Sequence, residues 1–174
     1  GGHPVRRERL AAEKRWSRFT RSRKEIPEGY VELGELCRVH RGQVTGANRI
    51  WIAGEHSEGL PDSVLYPTVT RAKELITAGP VLTDICSLRR VIDLPEDLST
   101  LDKNDFKAVK IFLKRAGEMG AKDSYVAQHR CAWWSVRLRA PAPILATYMA
   151  RQAPSFVLNK GAARHLNIAH GLYP

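Results

Sequence analysis

The stretch Arg41-Gly42-Gln43-Val44-Thr45-Gly46-Ala47-Asn48-Arg49, followed directly by Ile50-Trp51-Ile52-Ala53, decides how this chain reads. Two glycines, a threonine and an asparagine stand between two arginines, and an apolar run follows. Gly and Asn tolerate the positive φ angles of tight turns. The segment therefore reads as a turn opening into a strand over 49–53, with a second strand over 31–41 before it. The groups left at the tip are Thr45, Asn48 and the guanidinium forks of Arg41 and Arg49. Such groups suit phosphates and base edges. A surface hairpin with incidental arginines has the same local chemistry.

Upstream of the turn, Ile26-Pro27-Glu28-Gly29 punctuates the chain. Residues 4–24 read as a charged helix with Leu10, Ala11, Trp16 and Phe19 as its few apolar positions. Between Val5 and Lys24 lie nine arginines and lysines against Glu8 and Glu13, which is +7 of the formal net charge of +10. A balance of this kind favours polyanions such as DNA or RNA over anionic membrane. It is also compatible with a solvated basic arm. Residues 1–29 are thus taken as a basic linker or arm, and 30–174 as one domain.

Downstream, residues 54–61 read as a polar loop and 62–66 as a short helical piece halted near Pro67. Residues 70–75 read as exposed and basic, with Arg71 and Lys73. Residues 88–94 read as a strand closed by Pro95. A helix is predicted over 103–119, with Asp102 as N-cap and Gly120 at its end. Phe106, Val109, Leu113 and Ala116 share one face at three- and four-residue steps, and Lys103, Lys107, Lys110 and Lys114 form the opposite one. In His129-Arg130-Cys131-Ala132-Trp133-Trp134-Ser135-Val136-Arg137, tryptophans sit among basic groups, a pattern that can stack on bases. Read as a strand, it would turn one tryptophan to the core and leave the other for a ligand. Strands over 144–149 and 156–159 follow. Helices and strands mix without regular alternation, which predicts an α+β fold with a mixed, mainly antiparallel sheet and a few helices, preceded by the basic helical arm.

A chain of 174 residues buries about 70% of its unfolded surface without disulfides or metal. Cys37, Cys86 and Cys131 are dispersed and odd in number, which fits a reducing cytoplasm. No apolar run approaches the ~20 residues of a membrane span, and no secretory signal is visible. Gly1-Gly2 reads as a leftover of recombinant expression, so a longer parent protein is expected. No phosphate-binding glycine loop, zinc-ligand spacing or nucleophile elbow is present. No self-contained catalytic constellation emerges, and no metal or cofactor is expected in this chain.

Three segments in order carry a family likeness: VELGELCRVHRGQVTGANRIWIA, YVAQHRCAWWSV and ILATYMARQAPSFVLNKGAARHLNIAHGLYP. Together they closely resemble the C-terminal target-recognition domain of adenine-specific DNA methyltransferases of the TaqI-like type, from restriction–modification systems. The likeness spans roughly residues 14–174. It departs from the family at Trp133-Trp134, where tryptophan–tyrosine is usual, and at Ala162-Ala163, where small polar residues are. The resemblance implies that a missing N-terminal methyltransferase domain holds the S-adenosylmethionine pocket and the motif that contacts a flipped adenine. It implies double-stranded DNA as partner, no membrane, and no methylation by this chain alone. Carried over by position, the DNA contacts would be Arg41, Thr45, Asn48, Arg49, Arg71, Lys73, His129, Arg130, Trp133, Asn159, Arg164 and Asn167. The sharpest form of the expectation is a bidentate contact from Arg41 or Arg49 to guanine, worth about 1–3 kcal/mol. The alternative is a protein-interaction or assembly module of a restriction or phage-defence complex, with non-specific DNA affinity. A small hydrolase with scattered residues has the least support.

Overall fold

The computed structural model describes residues 4–12, 16, 19, 26–148 and 153–174. Its contacts divide the chain into two compact units, Gly1–Leu36 and Cys37–Pro174. In the first, helix α1 spans Arg7–Ala12 and a single turn, α2, spans Leu33–Leu36. Helix α1 covers part of the helix predicted over 4–24, and residues 13–15, 17, 18 and 20–24 of that prediction lie outside the described residues. The indole N–H of Trp16 donates to the Leu10 carbonyl at 2.9 Å, and the Arg9 guanidinium lies 5.5 Å from the Phe19 ring centre.

Among its described residues the second unit carries eight strands, β1 Arg38–Arg41, β2 Leu65–Val69, β3 Val81–Leu82, β4 Arg90–Ile92, β5 Ile144–Thr147, β6 Phe156–Asn159, β7 Arg164–His165 and β8 Ala169–Tyr173. Its helices are α3 Asn48–Trp51, α4 Ala72–Ala78, α5 Lys103–Glu118 and α6 Tyr125–Gln128. The fold is α+β. The strands form two sheets, one of order β1-β8-β5-β6-β3 and one of order β4-β2-β7. Pairing is antiparallel except for β2 with β7 and β3 with β6.

The two sheets lie against two cores, and β2 contributes to both. Leu145 of β5 lies opposite Val157 and Gly171, so one face of the larger sheet is shared by these positions. Leu82, Leu145, Val157 and Ala169 pack there against Val69 and against Leu75 of α4. The second core joins the smaller sheet to α5, through Val91 and Ile92 against Val109, Phe112 and Leu113. Helix α5 starts where predicted, because the Asp102 carboxylate accepts the N–H groups of Asn104 and Asp105 at 2.8 and 2.9 Å. Gly120, with φ of 83°, follows its end. Val109, Phe112, Leu113 and Ala116 are buried, Phe106 is half-buried, and the four lysines face water.

Three local expectations are corrected. The hairpin around the glycine turn does not form. Residues 33–36 are helical, and β1 pairs with the distant β8, Arg41 opposite His170. Residues 48–51 are a helical turn, in which the Ala47 carbonyl accepts from the N–H groups of Ile50 and Trp51. A strand would send these neighbours to opposite faces. One helical turn instead buries both completely in the α5 core.

Second, Pro67 does not halt the chain. It lies within β2 opposite Arg90, at a point where β7 has not yet joined the strand, so its missing N–H leaves no ladder bond unmade. Residues 70–75 are also not uniformly exposed, since Thr70 and Leu75 are buried. Third, residues 129–139 contain no strand. Asp93 takes the place of a strand partner by accepting the N–H groups of Arg137 and Leu138, both at 2.8 Å. Burial pushes the Asp93 carboxyl above its ordinary pKa, and these N–H groups with Arg164 pull it back.

Candidate functional site

The glycine turn is held at both ends by backbone. Gly42 donates to the Ala169 carbonyl at 3.0 Å, and a Cβ there would sit 2.1 Å from the Leu166 oxygen. Only glycine permits that approach. Gln43 bridges Leu166 in parallel, with Asn167 donating back to the Gln43 carbonyl at 2.9 Å. Thr45 is buried, and its hydroxyl donates to the Asn48 side-chain oxygen at 2.5 Å. Asn48 is the first residue of α3 and is exposed. One Nη of Arg49 donates to the Met119 carbonyl at 2.9 Å, tying the turn to the end of α5. Arg41 is exposed, and its side chain has no hydrogen bond or ion pair to any described residue.

The segment 120–130 forms the second wall. Ser124 caps α6, its hydroxyl accepting the Ala127 N–H at 3.2 Å. Gly46, with φ of 83°, abuts this cap so closely that a Cβ would lie 2.6 Å from the Ser124 hydroxyl. His129 is exposed, bonded through Nδ1 to the Tyr125 carbonyl at 2.8 Å. Arg130 reaches across and donates to the Val44 carbonyl at 2.7 Å. Its other Nη is buried without a partner among the described residues. Burial lowers the Arg130 pKa from its ordinary value, with Asp93 opposing and Arg137 adding.

The third wall comes from β2 and β7. They run parallel, with Val69 opposite His165, and Gln43 joins Leu166 in the same sense. The chain therefore leaves all three at one end, where Thr45, Arg71 and Asn167 follow. Asn167 is half-buried, and its carbonyl accepts the Tyr148 hydroxyl at 2.7 Å. The Glu74 carboxylate caps α4 by accepting the N–H groups of Thr70 and Arg71 at 2.7 and 3.0 Å. Arg71 and Lys73 are left exposed. Behind this end, His165 is buried between Gly42 and Gly171. Burial, then the charge of His170, push its pKa down to about 4, although a backbone bond to His40 works the other way.

Of the twelve sequence-predicted residues, contacts thus tie Thr45, Asn48, Arg49, Arg130 and Asn167 into this turn, with Arg41 at its start and His129 beside Arg130, while Arg71 and Lys73 follow the end of β2. Three have their polar or aromatic groups engaged elsewhere. Asn159 is buried, its amide donating to the carbonyls of Ala142 and Ala163 and accepting the Ala163 N–H, all within 2.9 Å. Arg164 donates to the carbonyls of Leu138 and Arg139 and lies 4.4 Å above the Tyr66 ring. Trp133 is half-buried against Trp51 and Trp134, with the Lys122 ammonium 5.1 Å over its ring. Trp134 is no more available, since it packs on the same core and donates to the Pro95 carbonyl at 3.0 Å. The sequence reading missed Ser124 and Tyr125. Their signal was a serine cap followed by an aromatic four residues before His129, the spacing of side chains that meet on a helix.

Among the described residues, no group of three or more His, Cys, Asp or Glu can hold a metal ion, and no helix is long and apolar enough to cross a membrane. Residues 18–174 match the family model described as type II methyltransferase M.Eco57I, C-terminal domain. The chain is also 59% identical over 173 residues to the type II methyltransferase M.XamI of Xanthomonas campestris pv. amaranthicola, an alignment covering 99% of the chain and 33% of that protein. It thus spans about a third of the length of the curated relative it matches. By the reach of the family model, the chain belongs to the M.Eco57I C-terminal domain family of type II methyltransferases.

Proposed function

We propose that this domain recognises a specific sequence in double-stranded DNA for an adenine-specific, S-adenosylmethionine-dependent methyltransferase of a type II restriction–modification system, working in the cytoplasm. Residues 30–174 are the recognition domain and residues 1–29 its basic arm. The partner within the same protein is an N-terminal methyltransferase portion, which supplies the chemistry. The observation that carries the reading is the convergence of the 41–49 turn, the 120–130 segment and Asn167, with guanidinium groups left over at the surface. Among the described residues nothing binds the Arg41 fork, which leaves it for a bidentate contact to guanine. Arg49 has one Nη committed to Met119, so it serves as a phosphate or single-bond contact.

S-adenosylmethionine belongs to the other portion. A hollow of about 550 Å³ lies between α4 and the loop after β3, with Arg71, Glu74, Thr83 and Asp84 among its lining residues. None of its lining residues is aromatic and none is a glycine, so it offers neither a ring to sandwich adenine nor a bare backbone to cradle the cofactor. These residues do not fit that group.

Fluorescence anisotropy with pooled random duplexes at about 50 and 200 mM salt, followed by selection of the bound fraction, tests the reading. Saturable binding is expected, with log affinity falling by about 0.9 per phosphate neutralised for each tenfold rise in salt. A short motif should emerge in the selected pool. Weak binding without enrichment sinks it for the isolated domain.

A further inference from the structure

We infer that Tyr125, backed by His129, is a stacking platform for a nucleobase that has left its own helical stack. The inference rests on the DNA-recognition reading and adds a ligand chemistry to it, the flat face of an aromatic heterocycle. Tyr125 is 74% exposed. It is held, because the His129 ring lies against it, tilted by 31° with centres 4.0 Å apart, and that ring is itself bonded back to the Tyr125 carbonyl. Both rings leave the same side of α6, being four residues apart. One face of the tyrosine is therefore covered, and among the described residues the other is open.

Its position is fixed relative to the glycine turn as well. Ser124, the cap of α6, abuts Gly46, so the turn tip and Tyr125 form one rim. Arg49 and Arg130 brace that rim through carbonyls at Met119 and Val44. The one carboxylate within 120–130, Asp123, lies against Gly120. The tryptophans that the sequence offered for stacking are packed inside this rim, and Tyr125 is the ring here with a free face. Base–aromatic stacking makes no demand on base identity, so the platform adds affinity while the turn supplies the choice of sequence.

The test uses the 174-residue chain and a duplex taken from the selected pool, carrying 5-iodouracil at successive positions. Irradiation couples this base to an aromatic ring stacked on it. One duplex position should cross-link to Tyr125, mapped by mass spectrometry of the digested adduct. Tyr125→Ala should abolish that cross-link and weaken binding about tenfold to hundredfold. Tyr125→Phe should keep both, because stacking needs the ring and not the hydroxyl. Full affinity in Tyr125→Ala, or a loss in Tyr125→Phe as large as in Tyr125→Ala, overturns the platform while DNA recognition stands. Wild-type chain that fails to bind any duplex overturns both.

Discussion

The turn over 41–49 and the stretch over 159–164 contain the same kinds of residue, yet they use them differently. Each offers an asparagine and an arginine that sequence alone marks for DNA. In the later stretch every strong group of Asn159 is consumed within the fold, and Arg164 is clasped by two carbonyls and an aromatic ring. In the turn, Thr45 and Gly42 are sacrificed to structure so that Arg41 and Asn48 remain at the surface. A polar side chain is a candidate contact only for the bonding capacity that folding leaves unused. Residue type sets the total, and the surrounding backbone sets the remainder.

The strongest way to break this contrast is Gly42→Ala. Its new methyl group collides with the Leu166 backbone, so we expect a loss of about 3 kcal/mol or more, read as a lower midpoint in urea, and DNA binding lost along with the fold. Next comes acid. His165 is depressed to about 4 from 6.5, so the unfolded chain binds a proton that the folded one refuses. Stability is complete above pH 6.5 and falls as the pH drops toward 4, by on the order of 2–3 kcal/mol. Thermal unfolding across that window should show the slope, and His165→Gln should flatten it.

Asn159→Ala should cost about 2 kcal/mol by orphaning two buried carbonyls and an N–H, while duplex affinity of the still-folded fraction stays unchanged. Asn48→Ala, its counterpart in the turn, should cost about 1 kcal/mol, since it removes the acceptor of the buried Thr45 hydroxyl. A fall in DNA affinity on Asn159→Ala without a fall in stability would collapse the distinction between the two regions. The smallest expected effect is Arg41→Ala, within about 0.5 kcal/mol in stability. In binding it should lose about 1–3 kcal/mol at one position of the preferred site. A uniform loss over all duplexes would reassign Arg41 to a phosphate.

What the sequence made legible follows the same division between local and distant. Helix α5 could be read to within a residue because its cap, its apolar spacing and its closing glycine lie within the helix or beside it. The α+β class followed from composition and pattern. The path at 48–53 was not legible. Ile50-Trp51-Ile52 has strand-forming residues, and only the position of α5 and the smaller sheet makes a buried helical turn the better solution. Nor could pattern announce that β1 would pair with β8 or that Gln43 would meet Leu166, since those partners lie more than a hundred residues away. For the site, the residue kinds were readable and their residual capacity was not. Trp133 and Tyr125 show it in opposite directions, one conspicuous and packed, the other overlooked and exposed.

The order of the larger sheet also governs when the domain can come into being. Strand β8, drawn from Ala169–Tyr173, lies between β1 and β5. The earliest strand of the unit thus waits for the latest before it has a neighbour. Long-range closure of this kind is slow relative to local structure. On a ribosome, helix α5 can form early, but the sheet that backs the glycine turn stays open until the final strand has been made. A chain cut short before Ala169 would therefore lose the seat of the turn together with the strand.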